Sequence, residues 1–165
     1  MNSNPGMLKE TDRRPVTGDL DDLYREVILD HNRSPRNFGR LATANKTAQG
    51  YNPLCGDRIM VFIDLEGDVI RDISFQGAGC AISKAAASLM TANLKGKTVA
   101  QVRALFGEFR QMITAGESNP QVLGKLVAFA GVHKFPARVK CAVLPWHAVM
   151  AALEDKNKPV STEPS

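Results

Sequence analysis

The stretch from Arg58 to Phe75 constrains this chain more than any other. Ile59, Val61 and Ile63 alternate with Met60, Phe62 and Asp64. After Glu66-Gly67-Asp68, Val69, Arg71, Ile73 and Phe75 alternate with Ile70, Asp72 and Ser74. A period of two puts successive side chains on opposite faces, so each half reads as a strand. The short glycine-containing link makes the two strands an antiparallel hairpin. The return strand leads straight into Gln76-Gly77-Ala78-Gly79-Cys80.

The rest of the chain reads mainly as helix. Leu20, Leu23, Tyr24, Val27 and Ile28 recur at three- and four-residue steps, which predicts a helix over Asp19 to His31. Asp19, Asp21 and Asp22 suit its positive N-terminal end, and Ser34-Pro35 blocks its continuation. An alanine-rich helix is predicted from Ala81 to Leu94, stopped by Gly96. Thr98 and Gln101 have capping-box spacing and open a short helix through Phe109. Asn119-Pro120 starts another that runs to Gly131. The last helix is expected to begin near Cys141, with Pro145 in its first turn, and to reach Leu153. Asn37 to Pro53 reads as a loop or weak strand. The order predicts an α+β fold: a small antiparallel β-sheet with helices packed on one face.

At 165 residues and 44% hydrophobic, the chain suits one domain, expected over residues 19–154. Residues 1–18 and 155–165 are polar and are expected to be a disordered leader and tail. The leader has no apolar core, so it is not a signal peptide, and the cytoplasm is the expected compartment. No apolar run is long enough for a membrane span. The net charge of +4 lacks the basic-aromatic interleaving of a nucleic-acid binder, whereas an acidic protein partner suits it.

Three cysteines are too few, and odd in number, for a disulfide scaffold. Cys55 stands in Cys-Gly-Asp, where a flexible glycine lets thiol and carboxylate face one ion. Cys80 ends the Gly-Ala-Gly run at a helix start, where unpaired amides favour a thiolate. Cys141 falls at the expected start of the last helix, where Arg138 and Lys140 would lower its pKa. Three thiolates and Asp57 make the four donors that tetrahedral zinc takes. Soft thiolates also suit iron–sulfur chemistry. Zinc with these ligands carries a net charge of about −2, which Arg58, Lys84, Arg138 and Lys140 could offset. His31, His133 and His147 lack ligand spacing and read as structural. Ser83 reads as a first-turn helix residue. There is no phosphate-cradling loop and no nucleophile elbow.

These segments resemble the NifU/IscU-like proteins. The resemblance lies in Asp22 to His31, Ser34-Pro35-Arg36-Asn37, Asn52-Pro53-Leu54-Cys55-Gly56-Asp57, Gly77 to Ser83, and Arg138-Val139-Lys140-Cys141-Ala142. It spans roughly Asp19 to Leu153. Lys140 replaces the histidine that scaffold-type members carry before the last cysteine. The Cys80–Cys141 interval is also longer than theirs, and both features point to the SufU branch. The resemblance implies zinc held by Cys55, Asp57, Cys80 and Cys141. It implies that a cysteine desulfurase of the SufS kind passes persulfide sulfur to Cys55, for delivery to downstream iron–sulfur assembly proteins. On this view the chain is a sulfurtransferase-like partner of that enzyme. The alternative is a scaffold holding a [2Fe–2S] cluster, or iron, on the same ligands.

Overall fold

A computed structural model describes residues 17–155 and 160–161. The expected leader up to residue 16 and most of the expected tail lie outside these residues. So do the side chains of Asp19, Leu20, Asp21 and Asp22.

The helix α1 spans Thr17–Arg33. Three strands follow: β1, Lys46–Asn52; β2, Asp57–Glu66; and β3, Val69–Ala78. Both β1–β2 and β2–β3 are antiparallel. Gly67 makes the β2–β3 turn with φ +64°, a backbone conformation that glycine adopts without a Cβ clash. Four helices complete the domain: α2, Ala81–Leu94; α3, Val99–Ala115; α4, Pro120–Leu123; and α5, Pro136–Leu153. A 3-10 helix, Gly124–Lys134, joins α4 to α5. Val160–Ser161, in the segment expected to fray, forms β4 and pairs in parallel with Gly50 and Tyr51 of β1. The sheet order is β3-β2-β1-β4. The architecture is the α+β arrangement expected from the sequence.

One face of the sheet carries the core. Ile59, Val61 and Ile63 of β2 and Ile73 and Phe75 of β3 are buried there, against α2 and α5. Gly50 of β1 is glycine for want of room: a Cβ there would meet Leu144 Cδ1 of α5 at 2.9 Å. The outer edge of β3 is covered by irregular backbone. Gly39 N donates to Phe75 O at 2.7 Å, and Gly96 N donates to Ile70 O at 2.7 Å. Paired edges of this kind do not template further strands.

The structure makes a strand where the sequence reads as a loop or weak strand. It also shifts three expectations: β4 lies in the expected tail, the helix expected from Asn119-Pro120 to Gly131 is the short α4 followed by 3-10 helix, and the last helix starts earlier. Asn37 to Pro53 contains a seven-residue strand, β1. The last helix begins at Pro136, so Cys141 lies in its second turn and Pro145 lies in its interior. Proline at the first helical position forgoes an amide that would be unpaired anyway, so Pro136 marks the start.

Candidate metal centre

Asp57 opens β2 on the same side as Ile59, Val61 and Ile63, so its carboxylate points into the helical layer. It is 1% exposed. Cys55 stands just before it in the β1–β2 loop, and Gly56, with φ +75°, turns the loop. Cys80 is the N-cap of α2. Cys141 comes in from α5 and is buried, whereas Cys55 is exposed.

These elements converge. The donor atoms of Cys55, Asp57 and Cys141 lie within 4.8 Å of one another. Cys55 Sγ is 3.6 Å from Cys141 Sγ. Cys80 joins through Asp57: its amide donates to Asp57 Oδ1 at 2.8 Å, and its thiol donates to Oδ2 at 3.3 Å. Tetrahedral zinc with its usual bond lengths sets sulfur–sulfur edges of about 3.8 Å and sulfur–oxygen edges of about 3.5 Å. The two measured separations are close to those edges, and the donor types suit the ion; Cys80 lies outside the group of three whose donor atoms are mutually within 4.8 Å.

The electrostatics divide the cysteines. The neighbouring Cys141 side chain lowers the pKa of Cys80 to about 6, against the opposing effect of burial. Cys80 in turn pushes Cys141 up, and burial adds to this. A lowered pKa suits the place of Cys80 at a helix N-terminus. Burial also raises Cys55. Burial alone would raise Asp57, but hydrogen bonds from Cys55, Cys80 and Ser83 outweigh it and hold the carboxyl below its ordinary value.

Four basic residues stand near the site in sequence. Three of them lie over aromatic rings: Arg58 over Tyr51 at 4.4 Å, Lys84 over Phe38 at 5.4 Å, and Arg138 over Phe135 at 4.5 Å. Lys140 is half-buried on α5, directly before Cys141. Arg138 also borders a groove of about 630 Å³ between α1, α2 and the 3-10 helix. Cys80, Ile28, Ile82, Val132 and Phe135 line the same groove.

Two polar residues at the site received no role from the sequence. Ser83 is fully buried, with its Oγ 3.8 Å from Cys80 Sγ. Asn52 is 1% exposed and donates from Nδ2 to Cys141 Sγ at 3.7 Å. A cap-like serine beside Cys80 was a readable signal for the first. The second spans 89 residues of sequence, and only the fold reveals it. The histidines stand apart: His31 Nδ1 bonds Ser88 Oγ at 2.7 Å, and His133 Nδ1 bonds Ala130 O at 2.8 Å.

Residues 23–142 match the model of the NifU-like N terminal domain. The chain is 44% identical over 131 residues to the zinc-dependent sulfurtransferase SufU of Bacillus subtilis, covering 79% of this chain and 88% of that one. It is 39% identical over 137 residues to the iron–sulfur cluster assembly scaffold protein IscU of Streptococcus pyogenes, covering 82% and 85%. The crystal structure of a NifU-like protein (N-terminal) from Brucella abortus superposes with a TM-score of 0.74 at 25% identity, covering 83% of this chain and 98% of that one. By sequence and by fold, the chain belongs to the NifU-like N-terminal domain family.

Proposed function

We propose that this protein serves iron–sulfur cluster assembly as a zinc-dependent sulfur acceptor and carrier. In this reading Cys55, Asp57, Cys80 and Cys141 hold the ion, and Cys55 takes sulfur from a cysteine desulfurase of the SufS kind. One observation carries it: Cys55 is exposed on a loop, while Cys141 and Asp57 are buried beneath it. An exposed thiol can reach a partner's persulfide without the anchoring ligands moving. The similarity to SufU supports the same choice.

Bound zinc would keep the ligand thiols ionised and protected until a partner arrives. The Cys55 thiolate then attacks the terminal sulfur of the partner's persulfide. A Cys55–sulfur bond forms as the partner's sulfur–sulfur bond breaks. The electron pair leaves on the partner's thiolate, and the proton stays on the transferred sulfur. No external oxidant is needed. The groove beside Cys80, apolar with Arg138 at its rim, suits an acidic segment of such a partner. Arg138 and Lys140 act here as nearby positive charge for the thiolate cluster.

The test is metal analysis together with persulfide transfer from the desulfurase. Unmodified protein holds about one zinc, as a closed four-ligand site requires. Cys55→Ala remains folded and accepts no sulfur; full acceptance by this variant would sink the reading. A second reading, a scaffold for a [2Fe–2S] cluster, is favoured by the likeness to IscU. A stable visible chromophore, transferable to an apo-protein, would establish it instead.

A further inference from the structure

Of the three sulfurs of the site, Cys141 Sγ receives a side-chain N–H, from Asn52. Cys55 lies in the loop between β1 and β2. Cys80 caps α2, where the first backbone amides have no partner within the helix. Cys141 is placed differently. It lies in the second turn of α5, where amides are already committed to the helix.

Asn52 provides the donor there. Its side chain is buried at the end of β1, on the core face. The Leu54 amide donates to Asn52 Oδ1 at 3.1 Å. That bond fixes which end of the carboxamide is oxygen, so Nδ2 is the end aimed at Cys141 Sγ, 3.7 Å away. The Asn52 carbonyl also accepts from Gly56 N at 2.8 Å. A single residue therefore ties the Cys55 loop at two points and reaches across to α5.

We propose that Asn52 is the positioning residue of this centre: its carboxamide clamps the Cys55 loop to Cys141 and supplies the N–H that stabilises the Cys141 thiolate as a metal ligand. The inference rests on the reading of these cysteines as a metal centre. Hydrogen bonds to ligand atoms orient the ligands and adjust their donor strength. Here the same bond also holds the exposed ligand beside the buried one. The competing explanation is that Asn52 only shapes the loop, as asparagine side chains do in many turns.

Two measurements separate these explanations. The first uses unmodified full-length protein loaded with the NMR-active isotope of cadmium. A through-bond coupling from the Asn52 side-chain amide protons to cadmium, via Cys141 sulfur, is expected. Its absence overturns the proposal. The second compares Asn52→Ala with Asn52→Asp. Asp keeps the acceptor for Leu54 but lacks the donor. If the donor matters, both lose zinc affinity by about 10–100-fold in a chelator competition. Both also shift the sulfur-to-cobalt charge-transfer band of cobalt-loaded protein to longer wavelength. If Asn52→Asp keeps the affinity and the band of the unmodified protein, the role is confined to the turn and the proposal falls. A protein that binds no stoichiometric zinc defeats the metal-centre reading itself. Zinc bound without the coupling defeats only the role of Asn52.

Discussion

Asn52 and Asp57 are register partners at the end of the β1–β2 ladder, and the loop between them carries Cys55. Both side chains face the core and both are 1% exposed. The exposed sulfur is thus bracketed by two buried polar groups, one directed at Cys141 and the other at Cys80.

This bracket makes Asp57 the hub of the centre. It accepts from the Cys80 amide and thiol and approaches both other donor sulfurs. Asp57→Asn keeps the shape and removes the charge that a hard oxygen ligand needs. We expect zinc affinity to fall by more than about 100-fold, beyond the loss typical of an outer partner. Chelator competition measures it. An affinity within a factor of a few of the unmodified protein would remove Asp57 from the ligand set.

Gly79 leaves room for this hub. A Cβ there would lie 2.5 Å from Asp57 Oδ1 and 2.9 Å from Ser83 Oγ. Gly79→Ala must push the carboxylate away from Cys80. The expected cost is roughly 1–3 kcal/mol, read by urea denaturation of metal-free protein, with weaker zinc binding besides. A neutral result in both assays would show that the β3–α2 junction yields more easily than its packing implies.

Histidine protonation should set the acid limit of stability. Burial lowers the pKa of His31, with Arg36 adding to the effect, and burial with help from Arg110 lowers that of His147. Folded histidines with lowered pKa bind protons less readily than the unfolded chain, where the value is about 6.5. Stability is therefore full above that pH and is lost as pH falls from it toward the folded values. Thermal melts of metal-free protein between about pH 7.5 and 5.5 should show the decline. His147→Gln, which takes up no proton, should flatten it. An equal slope in the variant would exclude His147 as a contributor.

Much of the fold was legible because its signals are local. The period-two runs of Ile59 to Ile63 and Val69 to Phe75 identify β2 and β3. Thr98 and Gln101 form the expected capping box, each side chain bonding the other's backbone. β1 was hard to read because its core face is Ala48, Gly50 and Asn52. Close approach by α5 demands small residues there, so the strand shows no apolar stripe. The start of α5 was misplaced because Phe135 provides no side-chain cap. The candidate ligands could be listed from motif context, but the site's inner arrangement could not. It depends on contacts such as Asn52–Cys141 that no short motif contains.

Trp146 offers a test of the core away from the proposed metal centre. It stacks on Phe106 at 5.6 Å and on Phe109 at 5.1 Å. Its Nε1 is the one buried side-chain polar atom without a partner among the described residues. Trp146→Ala should cost about 3–5 kcal/mol. Trp146→Phe removes an unpaired donor whose burial costs about 1–3 kcal/mol, which offsets part of the lost ring contact. The Phe variant should therefore lie much closer to the unmodified protein than to the Ala variant in urea denaturation. Equal losses would mean that the indole N–H is satisfied in solution.

Removal of the metal should expose a specific redox liability. Cys55 Sγ and Cys141 Sγ are 3.6 Å apart, and a disulfide needs about 2.05 Å. The Cys55 loop can close that gap, whereas Cys141 is fixed in α5. Cys80 is less well placed for the reaction, because its thiol is engaged with Asp57 and Ser83. When chelated protein is treated with diamide, the two thiols give up two protons and two electrons to the reagent and a Cys55–Cys141 bond forms. Peptide mapping without reduction should find that pair ahead of any pair containing Cys80. Zinc-loaded protein under the same treatment should resist, since an ion on both sulfurs competes with the oxidation. A dominant Cys55–Cys80 product would mean that the loop samples the α2 side as readily as the α5 side, contrary to the clamp assigned to Asn52.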